Sequence, residues 1–215
     1  MPPRRSKPSA PFRPEALVEH LRISGVQIEL SEADLDRIGQ YMTLRSKWAK
    51  VHNLTGPMAS DDTLYRDLVD SLSVVPVLRD DLPIIDVGSG NGTPGLVIAC
   101  VWSAQKITLV EPISKRSAFL RTASVQVGLK HVEIINGRWP IQLDGSVQVV
   151  SRAVAPVETW PEMATEAGDH VESFHRMLAA RRPPVNVKGF QLALGADHRL
   201  SDGVDRRVER WDRAR

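Results

Sequence analysis

The chain holds a single cysteine, Cys100, in 215 residues. One thiol excludes an internal disulfide and a cysteine-cluster metal site, and a chain without disulfides fits the cytoplasm. No metal site is expected. Charge of one sign is also missing: 28 Lys and Arg stand against 26 Asp and Glu, a net of +2, so net charge alone announces neither nucleic acid nor membrane. No apolar run approaches the length of a membrane span, and the Pro- and Arg-rich start lacks the apolar middle of a secretory signal. Internal repeats and low-complexity segments are absent as well.

What is present is length enough for a real core and an uneven spread of charge. Residues 1–14 carry Arg4, Arg5, Lys7 and Arg13 without an acid and read as a flexible basic tail. His175 to Phe190 carries Arg176, Arg181, Arg182 and Lys188, again without an acid, and Arg206 to Arg215 is rich in arginine. Such clusters suit a polyanion, or a solvated surface.

Residues 15–80 read as an N-terminal helical extension. Ser31 and Asp34 resemble a helix-capping pair, after which Leu35, Ile38, Met42 and Trp48 recur at helical spacing. Leu64, Leu68, Leu72 and Val75 mark a second helix, ending near Pro76. All are expected in the core. From Leu82 the rhythm changes to short Val- and Ile-rich runs alternating with helical stretches. "PIIDV", "KITLVE", "VEIIN", "VQVVS" and "VNVK" read as strands, with helices from Pro94, over Ser114 to Val127 and across Glu158 to Ala180. Strand and helix in alternation predict an α/β domain over 81–215, a parallel sheet covered on both faces.

Ligands of such sheets bind beyond the carboxyl ends of the strands. "DVGSGNGTPG" lies at such an end, and Gly88, Gly90 and Gly92 supply positive φ and close backbone approach. Glu111 ends the next strand, where a carboxylate can accept from both ribose hydroxyls. Counted from Gly88, the dinucleotide fingerprint meets Thr93 at its sixth position, and Asp86 would repel a pyrophosphate. S-adenosylmethionine carries no phosphate, and its cationic groups can be attracted by Asp86, so a methyltransferase is the expected class. Cys100, on the helix after the turn, is read as packing, which argues against thiolate-dependent pyrimidine methylation. "VVSRAVAP" ends the fourth strand in place of an Asn-Pro-Pro turn, and puts Ser151 and Arg152 there. Arg152 can hold a carboxylate, a phosphate or a guanine edge, or simply pair with an acid.

"KWAKVHNLTG" (47–56), "DLVDSL" (67–72), "DVGSGNGTPG" (86–95), "EPISKRSAFL" (111–120), "SRA" (151–153) and "KG" (188–189) stand in the order found in the bacterial small-subunit ribosomal RNA methyltransferase G family, also called glucose-inhibited division protein B, which the chain resembles from Lys47 to Gly189. Asp67 stands where that family usually has histidine. The resemblance implies a Rossmann-like S-adenosylmethionine-dependent methyltransferase fold behind an N-terminal helical extension. It also implies methyl transfer to nitrogen-7 of a guanine in 16S ribosomal RNA, free or in the assembling small subunit, by direct attack of that nitrogen on the sulfonium methyl.

By position, cofactor contacts would fall on Gly88, Thr93, Trp139, Pro140 and Arg152, beside the Asp86, Gly90 and Glu111 read from the strand ends. Guanine nitrogen-7 presents a lone pair at neutral pH, so no general base is required and catalysis is positioning. Arg152, Lys188 and Asn53 are the positioning candidates; Lys115, Arg116 and Lys188 are candidates for RNA contact. Each has a plainer reading as a surface charge or helix cap, and Trp139 as a loop residue folded onto the core. A monomer is expected, with no membrane partner. The residues after Gly189 are atypical, and "DRRVERWDRAR" reads as charged helix or disorder. A small-molecule or protein methyltransferase, and a non-catalytic RNA-binding module, remain the alternatives.

Overall fold

The computed structural model describes residues 12–52, 61–156, 158–179 and 185–215. Three helices come first: α1 (Pro14–Ser24), α2 (Glu32–His52) and α3 (Asp61–Leu72). The Ser31 N–H donates to Asp34 Oδ2 at 2.9 Å and the Asp34 N–H to Ser31 Oγ at 3.2 Å, the reciprocal cap expected at the start of α2. Ile38 and Met42 on α2 and Leu68 and Leu72 on α3 are buried in one cluster with Leu96, Ile98 and Phe119 of the α/β unit. Phe119 lies 5.5 Å from Trp48 between ring centroids and 6.5 Å from Tyr41, tying α2 to the helix that carries Phe119.

The α/β unit runs β1 (Ile84–Val87), α4 (Gly95–Val101), β2 (Ile107–Val110), α5 (Ser114–Val127), β3 (Val132–Ile135), β4 (Val147–Val150), α6 (Trp160–Ala164), β5 (Val171–Leu178), β6 (Phe190–Arg199) and β7 (Asp205–Arg213). Its sheet has the order β3-β2-β1-β4-β5-β7-β6. The first five strands are parallel; β7 lies antiparallel to β5, and β6 antiparallel to β7. The chain moves outward from β1 through β2 to β3 and then crosses back to β4, so the switch point lies between β1 and β4.

Side-chain alternation sorts the residues of β1 between two cores. Ile84 joins Leu96, Ile98 and Phe119 on the face covered by α4 and α5. Ile85 and Val87 join Trp139, Trp160, Phe174 and Trp211 on the other.

Three expectations are corrected after β4. The stretch from Glu158 to Ala180 is not one helix: only Trp160–Ala164 is α-helical, and Val171–Leu178 forms β5. Glu172, His175 and Arg176 give this segment the look of a polar helix face. Yet His175 and Arg176 are buried in the sheet, where Arg176 donates to Glu209 of β7 at 2.9 Å. The fifth strand is therefore not "VNVK"; residues 185–189 connect into β6, and Lys188 lies in a turn. The carboxyl end is strand rather than helix or disorder. Val208, Glu209 and Trp211 are buried, and Trp211 stacks on Phe174 with centroids 6.1 Å apart. Charged residues satisfied by ion pairs, Arg207 with Asp197 across the hairpin and with Glu209 along β7, and Arg210 with Asp212 along β7, conceal its two-residue period.

Candidate active site

The chain leaves β1 at Val87 and turns through Gly88, whose N–H donates to the Val110 carbonyl at 2.8 Å. Gly88 has φ +67°, and a Cβ there would lie 2.2 Å from Val154 Cγ2, so both backbone conformation and space require glycine. Glu111 extends β2 and turns back to this loop. Its Oε2 accepts from the Gly90 N–H and its Oε1 from the Ile113 N–H, both at 2.8 Å. Each oxygen retains a second lone pair on the cavity wall, which is what a ribose diol needs.

Gly95 performs a different task. A Cβ on it would lie 2.3 Å from Leu109 Cδ2 and 2.4 Å from Asp86 Oδ2, so α4 can approach the sheet only with glycine there. Counted from Gly90 rather than Gly88, Gly90, Gly92 and Gly95 do fall at the first, third and sixth positions of the dinucleotide fingerprint. The register taken from Gly88 missed this, and the pattern alone does not choose between cofactors.

Asp86 does not line the cavity. Alternation puts it on the face of Ile84, under α4, fully buried, with Oδ2 accepting from the Gly95 N–H at 3.0 Å. Burial pushes its carboxyl up to about 7, and Oδ1 has no hydrogen-bond partner among the described residues. The attraction of cofactor cations expected of Asp86 is replaced by a structural bond behind the turn.

In front of the turn stands a network that the sequence reading passed over. Asp67 of α3 accepts from Arg45 of α2 through Oδ2 and from Arg152 through Oδ1, each at 2.7 Å. Arg152 donates its other Nη to Thr93 Oγ1 at 2.8 Å, and the Tyr41 hydroxyl donates to the Asn91 carbonyl at 2.8 Å. Burial raises the Asp67 pKa, but the charges and hydrogen bonds of Arg152 and Arg45 outweigh it and hold the carboxyl below its ordinary value. Arg152 thus makes the ion pair weighed for it while remaining on the cavity wall.

The cavity encloses about 1040 Å³ and runs from the glycine turn to the β6–β7 hairpin. Gly88, Gly90, Thr93, Glu111, Arg116, Trp139 and Arg152 of the sequence-based candidates line it; Pro140, Lys115 and Lys188 do not and are exposed. Trp139 is folded onto the core, its Nε1 donating to the Met163 carbonyl at 2.7 Å, yet it still borders the cavity beside Met163. Ala153, with φ +59°, holds a conformation uncommon for a residue with a Cβ, on the same wall. Asn53 lies outside the described residues. At the far end Asp70, one turn beyond Asp67 on α3, faces His198 at 3.3 Å and Arg206 at 3.4 Å. Cys100 is buried in the core, where burial pushes its thiol up to about 12, so it offers no nucleophile.

Comparison with solved structures finds the same fold in methyltransferases. An O-methyltransferase from Bacillus cereus, solved in complex with SAH, superposes with a TM-score of 0.57 at 11% identity, over 94% of this chain and 100% of that one. TrmN from Thermus thermophilus superposes with a TM-score of 0.51 at 14% identity, over 68% of this chain and 49% of that one. Sequence relatives are nearer. The ribosomal RNA small subunit methyltransferase G of Francisella philomiragia is 32% identical over 177 residues, 82% of this chain and 81% of the relative. That of Neisseria gonorrhoeae strain NCCP11945 is 36% identical over 140 residues, 64% of this chain and 68% of the relative. The profile of the rRNA small subunit methyltransferase G family matches residues 34–181, a span that takes in the glycine turn, Asp67, Glu111 and Arg152, and the chain belongs to that family.

Proposed function

We propose that the chain transfers a methyl group from S-adenosylmethionine to nitrogen-7 of a guanine in 16S ribosomal RNA. The observation that carries this reading is one cavity at the switch point of a parallel sheet that combines a glycine turn and Glu111 with seven arginines. A nucleoside cofactor accounts for the first half of that wall and a polyanionic acceptor for the second. Membership of the family and the names of its relatives supply the nucleic acid.

The residues fit the cofactor. Gly88 and Gly90 give close backbone approach, Glu111 accepts the ribose hydroxyls through its remaining lone pairs, and Trp139 with Met163 offers an apolar wall for the adenine. When bound, the cofactor supplies a methyl group on a positively charged sulfur. The rest falls to the chain. Guanine nitrogen-7 needs no proton removed, so the protein must hold the base at near-attack distance and keep water from the methyl group. Arg152, fixed by Asp67 and Thr93 at the cavity wall, is the group placed to hold O6 of the guanine, which leaves the nitrogen-7 lone pair free to face the methyl group. Among the described residues no helix is long and apolar enough to cross a membrane, and we place the protein in the cytoplasm, acting on the free RNA or the assembling subunit.

The test is transfer of labelled methyl from S-adenosylmethionine to 16S RNA or small subunits taken from cells lacking the enzyme, with mapping of the modified base. Label at one guanine nitrogen-7 is expected. Label elsewhere, or none from a protein that binds the cofactor, refutes the acceptor. Arg152→Ala should lower transfer at least roughly tenfold while stabilisation by cofactor persists.

A further inference from the structure

The seven arginines of the cavity wall divide into two groups. Five are matched by acids: Arg45 and Arg152 close on Asp67, Arg206 on Asp70, Arg66 on Asp202, and Arg207 on Asp197 and Glu209. Arg116 and Arg138 have no carboxylate or carbonyl partner among the described residues. A paired guanidinium has its charge offset locally and part of its donors committed; an unpaired one on a cavity wall offers its full charge and all its donors to a ligand.

The two unpaired arginines share one rim. Arg116 lies in the first turn of α5, which follows β2, and Arg138 follows β3, the strand beside β2. Asn136 ties the two connections together: its Nδ2 donates to the carbonyls of Glu111 at 2.9 Å and Pro112 at 3.1 Å, and its Oδ1 accepts from Ser114 Oγ at 2.9 Å. Trp139, directly after Arg138, is pinned in turn through Met163. The rim is thereby set before any ligand arrives, so little ordering cost remains for binding.

We infer that Arg116 and Arg138 form a two-arginine clamp for backbone phosphate of the acceptor RNA. The inference rests on the reading that the acceptor is RNA, and adds which cations meet its backbone. The cofactor cannot be the anion they serve. Under that reading the rim beyond Glu111 and Trp139 is the adenosine side, where S-adenosylmethionine carries no negative group. Strand-end arginines near a nucleoside acid hold a ribose phosphate in some dinucleotide sites, but this cofactor has none. The clamp therefore positions the RNA without reading its sequence, while Arg152 across the cavity faces the base.

The experiment measures affinity for transcribed 16S RNA across a salt series, for the parent, for Arg116→Gln/Arg138→Gln, and for a control, Lys106→Gln/Lys130→Gln. The control removes two charges outside the cavity wall. Each lost phosphate contact lowers the slope of log affinity against log salt by about 1, so the clamp variant should lose about 2 and the control far less. Cofactor-dependent thermal stabilisation should be the same in all three, which shows each folded. A clamp variant with the parent's slope, a control that loses as much, or loss of cofactor stabilisation alone overturns the clamp. If the parent itself shows no salt-dependent RNA binding, the RNA reading fails and the clamp with it.

Discussion

Two carboxylates on opposite sides of the glycine turn behave in opposite ways. Behind it, Asp86 is sealed under α4 with one backbone N–H as its partner and burial pushes its pKa up to about 7. In front, Asp67 sits between two guanidinium groups and its pKa is pulled down despite burial. Asp86 belongs to the motif that marks the turn, yet it is a packing residue. Asp67 belongs to no cofactor motif, yet it fixes Arg152 and joins the N-terminal helices to the site. A motif thus locates a site better than it assigns the work within it.

Crowding the rear of the turn should have the largest effect. Gly95→Val would drive a branched side chain into Leu109 and Asp86, and α4 would have to lift from the sheet. Overpacking of this kind should cost about 3 kcal/mol or more, seen as a loss of most native protein in a urea titration. A variant of near-parent stability would show that the rear contact is loose and that the contrast between the two aspartates is overstated.

Removing the charge in front comes next. Asp67→Asn leaves Arg45 and Arg152 without their anion, and because all three side chains are mostly shielded, a loss of about 2 kcal/mol is expected. Arg152 also loses one of its two fixed points, so turnover should fall roughly tenfold or more beyond what instability explains, with the cofactor KM little changed. Turnover unchanged per folded molecule would reduce Asp67 to a stability residue.

The two acids also predict opposite pH behaviour. The folded state holds a proton on Asp86 that the unfolded chain releases, so Asp86 makes stability fall as pH rises from about 3.8 to about 7, with no further change above. Asp86→Asn should remove that slope, retain an acceptor for Gly95, and be at least as stable as the parent at pH 8. Asp67 has the reverse sign: its stabilisation is present above its ordinary value of 3.8 and is lost as pH falls through its lowered pKa. Denaturant midpoints taken from pH 3 to 8 on both variants separate the two.

How legible these residues were follows from the same physics. The Ser31 cap, the short apolar strands and the glycine turn are local signals with local causes, and each forms where its spacing indicates. Asp86 was misplaced because the motif suggested a role before side-chain alternation was applied; Ile84 and Asp86 share a face, which alone puts the acid under the helix. β5 and the hairpin were missed for a different reason. Their charged residues are buried by partners more than thirty positions away, as with Arg176 and Glu209, and no local period reports a long-range ion pair. Asp67 was likewise invisible, since its meaning depends on Arg152, 85 positions later.

The smallest effects are expected where the sequence reading put cations that the fold leaves outside. The run "VNVK" predicts Lys188 at the end of the fifth strand, but it lies in the turn before β6, exposed and off the wall; Lys115, one residue from Arg116, is exposed and off the wall as well. A solvated lysine contributes only through screened, long-range attraction, which fades beyond a Debye length of about 8 Å at physiological salt. Lys115→Ala and Lys188→Ala should therefore leave stability unchanged and alter methyl transfer by about twofold at most, most visibly at low salt. Adjacent positions make Lys115 and Arg116 the sharpest contrast. If Lys115→Ala lowered RNA affinity as much as Arg116→Gln, general basicity of the rim would account for the binding, and pairing state would lose its power to sort the arginines.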